Sequence, residues 1–189
     1  MPPSDPDRPD GLIIVLSGPG GVAKGTVARR LSQLDPRLAL SRSWTTRPQR
    51  PGEVDDAYVF VDPETFAAAV DDGRFLEWAE FLGHRYGTPL QDPPPGHDLL
   101  LEIDVQGARQ VRARRADALL LFLVAPSDAA QLARLRGRGD SEEHVRQRLD
   151  EARREAEEAA GLGARTVVND DLDRAVAEIA AIISSERAS

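Results

Sequence analysis

The stretch LSGPGGVAKGT, residues 16–26, carries glycines and a lysine at the spacing that binds phosphate groups. In a P-loop, backbone N–H groups surround the phosphates and a lysine reaches the terminal ones, and Gly18 and Lys24 have this spacing. The stretch departs from the usual pattern because Ala23 precedes the lysine and the hydroxyl comes one position late, at Thr26. On its own, the stretch leaves open a working nucleotide site, a decayed one and a chance match.

Arginines cluster in two further parts of the chain, at Arg42, Arg47 and Arg50 and again between Arg134 and Arg154. The whole chain has a formal net charge of −8, which would repel a polyanion such as DNA. We therefore expect a small phosphorylated ligand at these arginines rather than a nucleic acid. For any single arginine, a solvated basic surface is the alternative interpretation.

The pattern of apolar residues predicts an α/β fold that places these side chains at the ends of parallel strands. Four apolar runs are predicted to be buried strands: 11–18, 98–105, 118–126 and 165–170. Helical spacing is found between and after them, over 24–34, 106–115, 127–136, 141–160 and 171–187. Alternating strands and helices imply right-handed crossovers and a parallel sheet with helices on both faces.

A block within residues 38–96 interrupts this alternation and predicts a small, partly antiparallel subdomain inserted into the core. Short strands are expected over 38–46, 57–62, 75–81 and 84–88, with one helix over 63–70. The segment QDPPPGH closes the block, and its three consecutive prolines exclude a helix there.

Composition limits the classes of protein to which the chain can belong. It has 189 residues, no cysteine and 41% hydrophobic residues, which suits one globular domain without disulfides or cysteine metal sites. No apolar run approaches the ~20 residues that a membrane-spanning helix needs. Residues 1–10 are acidic and rich in proline, unlike a signal peptide, and we expect a disordered lead. These features favour a cytoplasmic location and leave monomer or homo-oligomer open.

Taken together, the segments resemble the guanylate kinases over residues 11–183. The stretches that carry the resemblance are LSGPGGVAKGT, SRSWTTRPQRPGEV, FLEWAEFLGHRYGTP, LLLEIDVQGARQV, LRGRGDSEEHVRQRL and VVNDDLDRA. The resemblance implies a three-layer α/β/α P-loop NTPase core, residues 11–37 and 97–189, an inserted GMP-binding subdomain, residues 38–96, and a helical lid at about 134–150. The activity it implies is transfer of the γ-phosphoryl group of ATP to GMP or dGMP, with Mg²⁺ held by the ATP phosphates and water and without a direct protein ligand.

For the donor, the resemblance implies phosphate binding by the glycine loop and charge neutralisation by arginines of the lid. The implied ATP-binding residues are Gly18, Pro19, Gly20, Gly21, Val22, Ala23, Lys24, Gly25, Thr26 and Asn169. The implied catalytic residues are Lys24, Asp104, Arg134, Arg138 and Arg148. Phosphoryl transfer needs the two phosphates in line, their charge neutralised and water excluded, and cationic side chains on a closing lid supply the last two requirements.

For the acceptor, the resemblance implies a phosphate clamp and a base-reading pair. The implied GMP-binding residues are Ser43, Arg47, Arg50, Glu53, Tyr58, Glu77, Tyr86, Thr88 and Asp104. Guanine presents two adjacent donors, N1–H and the 2-amino group, which a carboxylate such as Glu77 accepts, while the Thr88 hydroxyl donates to O6. Adenine has the opposite pattern, so AMP should leave buried polar groups unpaired. A helix cap is the alternative role for Asp104, and either tyrosine could be an ordinary core residue.

The chain departs from the family pattern at Ala23, where glycine is usual, and at Gly20, where serine is usual. If the φ angle of Ala23 is positive, its Cβ costs roughly 1–2 kcal/mol. Three segments are also shorter than the family pattern, around GEVDDAYVF, GRGDSEE and PLQDPPPGHD.

Two alternatives to a guanylate kinase are weighed. A guanylate-kinase-like module that grips a phosphorylated partner would be expected to lose the phosphate lysine and the lid arginines, and this chain keeps them. A kinase with another acceptor is disfavoured by the Glu77 and Thr88 pair.

Overall fold

The computed structural model describes residues 11–50, 53, 58–81, 83–90, 93, 95–137 and 142–188. These residues form nine strands and six helices. The strands are β1 (Ile13–Ser17), β2 (Leu38–Leu40), β3 (Trp44–Thr45), β4 (Val59–Phe60), β5 (Phe75–Phe81), β6 (His84–Pro89), β7 (Asp98–Glu102), β8 (Leu119–Val124) and β9 (Arg165–Val168). The helices are α1 (Lys24–Leu34), α2 (Pro63–Asp71), α3 (Val105–Arg114), α4 (Asp128–Arg136), α5 (Glu142–Gly161) and α6 (Leu172–Arg187).

The core sheet is parallel and has the strand order β2-β7-β1-β8-β9. All five residues of the central strand β1 are buried, because helices cover both faces of the sheet. On one face, Leu16 packs in an apolar cluster with Val27 of α1 and Ile179 of α6. On the other face, Val15 packs in a cluster with Val111 of α3. The predicted parallel sheet with helices on both faces is confirmed.

A second, mixed sheet has the order β4-β3-β6-β5 and matches the predicted inserted subdomain. β6 is antiparallel to both β3 and β5, while β3 and β4 are parallel. Helix α2 packs on this sheet through Phe66, whose ring stacks on Phe75 with centroids 4.6 Å apart. The Asp62 side chain accepts a hydrogen bond from the N–H of Thr65 and caps the helix directly before Pro63, a favourable first helical residue.

One strand that was expected to be buried is mostly exposed. The run 165–170 forms β9, the last strand of the core sheet, in which Val167 is buried and the other three residues are exposed.

Element boundaries also differ from the expected ones at two other strands. Leu38–Leu40 was expected in the inserted subdomain, but it pairs with β7 as the edge of the core sheet, where Leu38 is buried. The strand expected over 98–105 ends at Glu102, because the Asp104 side chain caps α3 and turns the chain into the helix.

Some predictions fall on residues that the structure does not describe. The disordered lead, residues 1–10, lies outside the described residues, as do Arg138 in the lid and most of the segment from Gln91 to Pro94. Within the described part of the chain, every helix is too short or too polar to cross a membrane.

Candidate active site

The glycine loop connects β1 to α1 at the carboxyl end of the core sheet. Gly18 has φ 146° and Gly21 has φ 87°. A Cβ on Gly18 would lie 2.3 Å from the carbonyl oxygen of Leu123 in β8, so any larger residue would collide with backbone. Because α1 begins at Lys24, the N–H groups of Lys24 and Gly25 and the positive end of the helix dipole lie at the loop. The residues from Gly18 to Thr26 therefore form one turn suited to an anion.

Ala23 precedes the lysine in a left-handed conformation, with φ 67° and ψ 35°. It is the only non-glycine residue with a positive φ among those described. This conformation brings the Cβ too close to the following carbonyl and costs about 1–2 kcal/mol outside glycine. The carbonyl of Ala23 accepts hydrogen bonds from the N–H groups of Thr26 and Val27, both at 3.1 Å. The sequence left the sign of this φ open, and the structure shows that the turn into α1 carries the strain.

A cleft of about 260 Å³ lies over the loop, and Lys24, Arg29 and Glu102 are among its lining residues. The Lys24 ammonium donates hydrogen bonds to the carbonyl oxygen of Gly18 and to that of Pro19, 3.3 Å away. A cation and backbone donors thus share one cleft, which is the arrangement that a polyphosphate needs.

Glu102, at the end of β7, is a site residue that the sequence analysis missed. Burial raises the pKa of its carboxyl, and the nearby positive charges of Lys24 and Arg29 oppose that rise. A Cβ on Gly25 would lie 3.1 Å from both carboxylate oxygens of Glu102, so glycine after the lysine leaves room for this side chain. The available signal was an acidic residue at the carboxyl end of a core strand, two positions before Asp104.

Two buried amides hold the glycine loop from behind. The Gln131 side-chain amide donates to the carbonyl oxygen of Gly20 at 3.0 Å, and that of Asn169 donates to the carbonyl oxygen of Val22 at 2.9 Å. Both side chains are almost fully buried, so these hydrogen bonds fix the loop in place. Asn169 was expected near the donor adenine, and the structure adds this contact with the loop. Gln131 was missed because a glutamine inside a helix pattern carries no sequence signal for a loop contact.

Two of the three lid arginines lie beside the loop. The guanidinium of Arg134, at the end of α4, donates to the carbonyl oxygen of Asn169 at 2.9 Å. The guanidinium of Arg148, on α5, lies 2.9 Å from the position that a Cβ on Gly20 would take. The third, Arg138, lies outside the described residues. Arg148 thus lies directly beside the loop, while Arg134 lies on the segment whose Asn169 side chain holds Val22.

The residues expected to bind the acceptor phosphate lie between β3 and β4 and on the neighbouring strand β6. Arg47 forms a two-pronged ion pair with Glu53, at 2.7 and 3.0 Å. Its guanidinium also lies 5.5 Å from the centre of the Tyr58 ring, and the Tyr58 and Tyr86 ring centroids are 6.0 Å apart. Arg50 is exposed and donates its backbone N–H to the same Glu53 carboxylate at 3.0 Å. The structure thus brings the predicted arginines and phenols together and places one carboxylate in the fork of Arg47.

The Tyr58 phenol beside Arg47 is largely buried. Burial raises the pKa of Tyr58 to about 12, and the charge of Glu102 contributes to the rise. The phenol is therefore a neutral donor at physiological pH, able to give a hydrogen bond to a phosphate oxygen.

Glu77 and Thr88 face each other across β5 and β6, and both are buried. One carboxylate oxygen of Glu77 accepts hydrogen bonds from the Thr88 hydroxyl at 2.6 Å and from the Thr88 N–H at 3.0 Å. The Ser43 hydroxyl lies 3.5 Å from that of Thr88. Burial raises the pKa of Glu77 to about 7, although the hydrogen bonds from Thr88 oppose the rise. The pair is a buried acceptor beside a hydroxyl, as the sequence analysis expected.

Asp104 lies between the two halves of the site. Its side chain accepts a hydrogen bond from the Gly107 N–H at 2.8 Å, so the helix-cap alternative is confirmed. Its negative charge also contributes to the raised pKa of Glu77. A cap uses one carboxylate oxygen, so the same side chain retains an acceptor for a second partner.

Comparison with known proteins gives one consistent result. A family model described as guanylate kinase matches residues 11–186. The chain is 45% identical to a guanylate kinase of Symbiobacterium thermophilum, over 97% of this chain and 89% of that relative. It is 46% identical to a guanylate kinase of Thermosynechococcus vestitus, over 93% of this chain and 94% of that relative. Among solved structures, it is similar to a guanylate kinase from Anaplasma phagocytophilum, with a TM-score of 0.77, 30% identity and coverage of 95% and 88%.

Proposed function

The chain belongs to the guanylate kinase family and is an ATP:GMP phosphotransferase, and we propose which substrate group each of its site residues binds. A phosphate oxygen of GMP attacks the γ-phosphorus of ATP, the bond to the β,γ-bridging oxygen breaks, and ADP and GDP result. Because the ribose 2′-hydroxyl takes no part in this step, dGMP is proposed as a second acceptor.

The buried Glu77 and Thr88 pair is the observation that carries the acceptor assignment. The Glu77 carboxylate would accept N1–H and the 2-amino group of guanine, and the Thr88 hydroxyl would turn from Glu77 to donate to O6. Both side chains are buried, so a base without matching donors would leave polar atoms unpaired, at a loss of about 1–3 kcal/mol each. This loss would exclude AMP.

The acceptor phosphate is proposed to bind between the arginines and the phenols. The carboxylate of Glu53 occupies the guanidinium fork of Arg47, and a carboxylate is a stand-in for the phosphate oxygens that the same fork can accept. Arg50 and the hydroxyls of Tyr58 and Tyr86 would complete the clamp. Glu53 would then hold Arg47 in orientation while GMP is absent.

The donor phosphates are proposed to bind in the cleft over the glycine loop. The N–H group of Gly25 and the hydroxyl of Thr26 would bind the α- and β-phosphates, and Lys24 would leave the loop carbonyls to lie along the β,γ bridge. Arg134, Arg138 and Arg148 would neutralise the charge that spreads over the γ-phosphoryl oxygens during transfer.

Magnesium is the expected metal, and the residues present fit it. No group of three or more His, Cys, Asp or Glu side chains in the described ranges could hold a metal ion by itself. Mg²⁺ keeps several waters and uses phosphates with one or two carboxylates, so Thr26, Glu102 and Asp104 would hold it chiefly through water. When bound, the ion would neutralise phosphate charge.

An ADP-release assay across the nucleoside monophosphates tests the proposal. With Mg²⁺ and ATP, GMP and dGMP should be phosphorylated and AMP hardly at all. The conservative variant Glu77→Gln should raise KM for GMP far more than KM for ATP, because it replaces a double acceptor by an acceptor and a donor. Equal increases in KM for GMP and for ATP would mean that Glu77 does not bind the guanine base.

A further inference from the structure

Helix α3 of the core lies along the outer edge of the second sheet. β5 is the last strand of that sheet, and its backbone is bonded by side chains one turn apart on α3. The Gln110 side chain accepts from the N–H of Trp78 at 3.2 Å and donates to its carbonyl oxygen at 2.7 Å. Arg114 donates to the carbonyl oxygens of Phe75 and Leu76, both at 2.7 Å. The helix therefore holds the strand that carries Glu77.

One turn earlier on the same helix, Gly107 lies directly against the Glu77 carboxylate. A Cβ on Gly107 would lie 2.5 Å from the Oε2 atom of Glu77 and 3.0 Å from its Cδ. Real Cβ atoms essentially never approach another atom this closely, so a methyl group there would force the carboxylate to move. Gly107 adopts no conformation that glycine alone can reach, so the close contact is the structural reason for glycine here.

We propose that Gly107 is a positioning residue for guanine selection, because its missing side chain lets α3 hold the Glu77 carboxylate in reading position. This proposal rests on the assignment of Glu77 to the base. Gly107 lies against both acceptor carboxylates, since its N–H also donates to Asp104 at 2.8 Å.

Glu77 has little room to yield to a methyl group. It is 4% exposed, and its other oxygen is bonded twice by Thr88. The Ile103 Cδ1 atom lies 3.1 Å from the same Cβ position, which closes another side. Because the carboxylate is the flexible end of its side chain, we expect it to rotate away from Thr88 while the backbone stays in place.

The variant Gly107→Ala tests the proposal against the matched control Gly161→Ala. Gly161 is also helical, and nothing lies within 4 Å of a Cβ there, so its substitution should leave both substrates unaffected. Gly107→Ala should raise KM for GMP by about tenfold to a hundredfold, the equivalent of one or two misplaced hydrogen bonds, with KM for ATP unchanged. It should also lower the ratio of kcat/KM for GMP to kcat/KM for inosine monophosphate, a nucleotide that differs from GMP only in lacking the 2-amino group.

A double-mutant cycle with Glu77→Gln separates this inference from the base assignment. If Gly107 acts through Glu77, adding Gly107→Ala to Glu77→Gln should change KM for GMP by less than about threefold. If the increases in KM for GMP in the two single variants multiply in the double variant, the positioning role is overturned. It is also overturned if Glu77→Gln raises KM for GMP but Gly107→Ala leaves it unchanged. A Glu77→Gln variant with normal GMP selection would instead overturn the base assignment.

A third variant keeps the proposal testable if Gly107→Ala does not fold. Glu77→Ala with Gly107→Ala removes the colliding carboxylate, so this pair should fold, as measured by circular dichroism and thermal unfolding. If Glu77→Ala alone folds but the pair does not, the methyl group collides with something other than Glu77, and the proposal is overturned.

Discussion

Replacing Ala23 by glycine should stabilise the protein, because Ala23 is strained at φ 67° in the turn that starts α1. The left-handed conformation costs an alanine about 1–2 kcal/mol, and glycine adopts it freely. Glycine also gains about 0.4–1 kcal/mol of conformational freedom in the unfolded chain, which offsets part of the relief. The expected net gain in the free energy of unfolding is about 0.5–1 kcal/mol, or about 1–3 °C in Tm for a chain of this size.

The chain offers a matched control for this estimate at Gly73, which has φ 66° and nothing within 4 Å of a Cβ. Gly73→Ala places an alanine at the same positive φ without any new contact, so it should destabilise the protein by about the amount that Ala23→Gly gains. Urea unfolding of both variants and the parent, followed by circular dichroism, gives the two free energies. Because Ala23 already holds the loop in its turn, KM for ATP should change by less than about tenfold.

Two outcomes would refute this reasoning. If Gly73→Ala destabilises as expected but Ala23→Gly does not stabilise, contacts of the Ala23 methyl must compensate for the strain. If Ala23→Gly changes KM for ATP by a hundredfold or more (about 2.7 kcal/mol), the methyl group takes part in phosphate binding.

Two further predictions concern the acceptor site and the C-terminal helix. Because the pKa of Glu77 is raised to about 7, the carboxylate is protonated as pH falls, so kcat/KM for GMP should drop below about pH 7. In Glu77→Gln this drop in kcat/KM should disappear, and only the pH dependence due to the GMP phosphate should remain. An unchanged pH profile in this variant would contradict the assignment of Glu77 to the base. The Arg187 guanidinium donates hydrogen bonds to the carboxylates of Asp35 and Asp98, and the bond to Asp98 is 2.7 Å long. Arg187→Ala should therefore lower the free energy of unfolding in urea by about 2–3 kcal/mol. The control Arg30→Ala breaks only an exposed ion pair and should cost less than about 0.5 kcal/mol, so equal losses would contradict the effect of burial.

Structural features that depend on local patterns of residues could be predicted from the sequence. The apolar runs predicted the buried strands β1, β7 and β8, because strands covered on both faces need continuous apolar residues, whereas β9 was placed correctly but is mostly exposed at the sheet edge. The pairing of Glu77 with Thr88 could also be expected, but only from the resemblance to a family, since opposite positions on two strands leave no mark in one sequence.

Other features were out of reach because they depend on contacts between distant segments. Ala23 lies in a loop whose carbonyls at Gly20 and Val22 are bonded by the Gln131 and Asn169 amides, which lie more than a hundred residues along the chain. The same holds for the room that Gly25 leaves for Glu102, because a distance between side chains of α1 and β7 cannot be inferred from either segment alone.

The short segment from Glu102 to Gly107 connects the two halves of the reaction. Glu102 lies against the first turn of α1 and the charge of Lys24, and Asp104 begins the helix whose third residue, Gly107, lies on Glu77. A shift of this segment would therefore move the donor cleft and the Glu77 carboxylate, the proposed guanine acceptor, together. Precise alignment of two phosphates requires this kind of shared support, since about 1 Å of misplacement can cost a hundredfold in rate. We therefore expect substitutions of Glu102 at the end of β7 to raise KM for both ATP and GMP, whereas those on β5 and at Gly107 should raise KM for GMP alone.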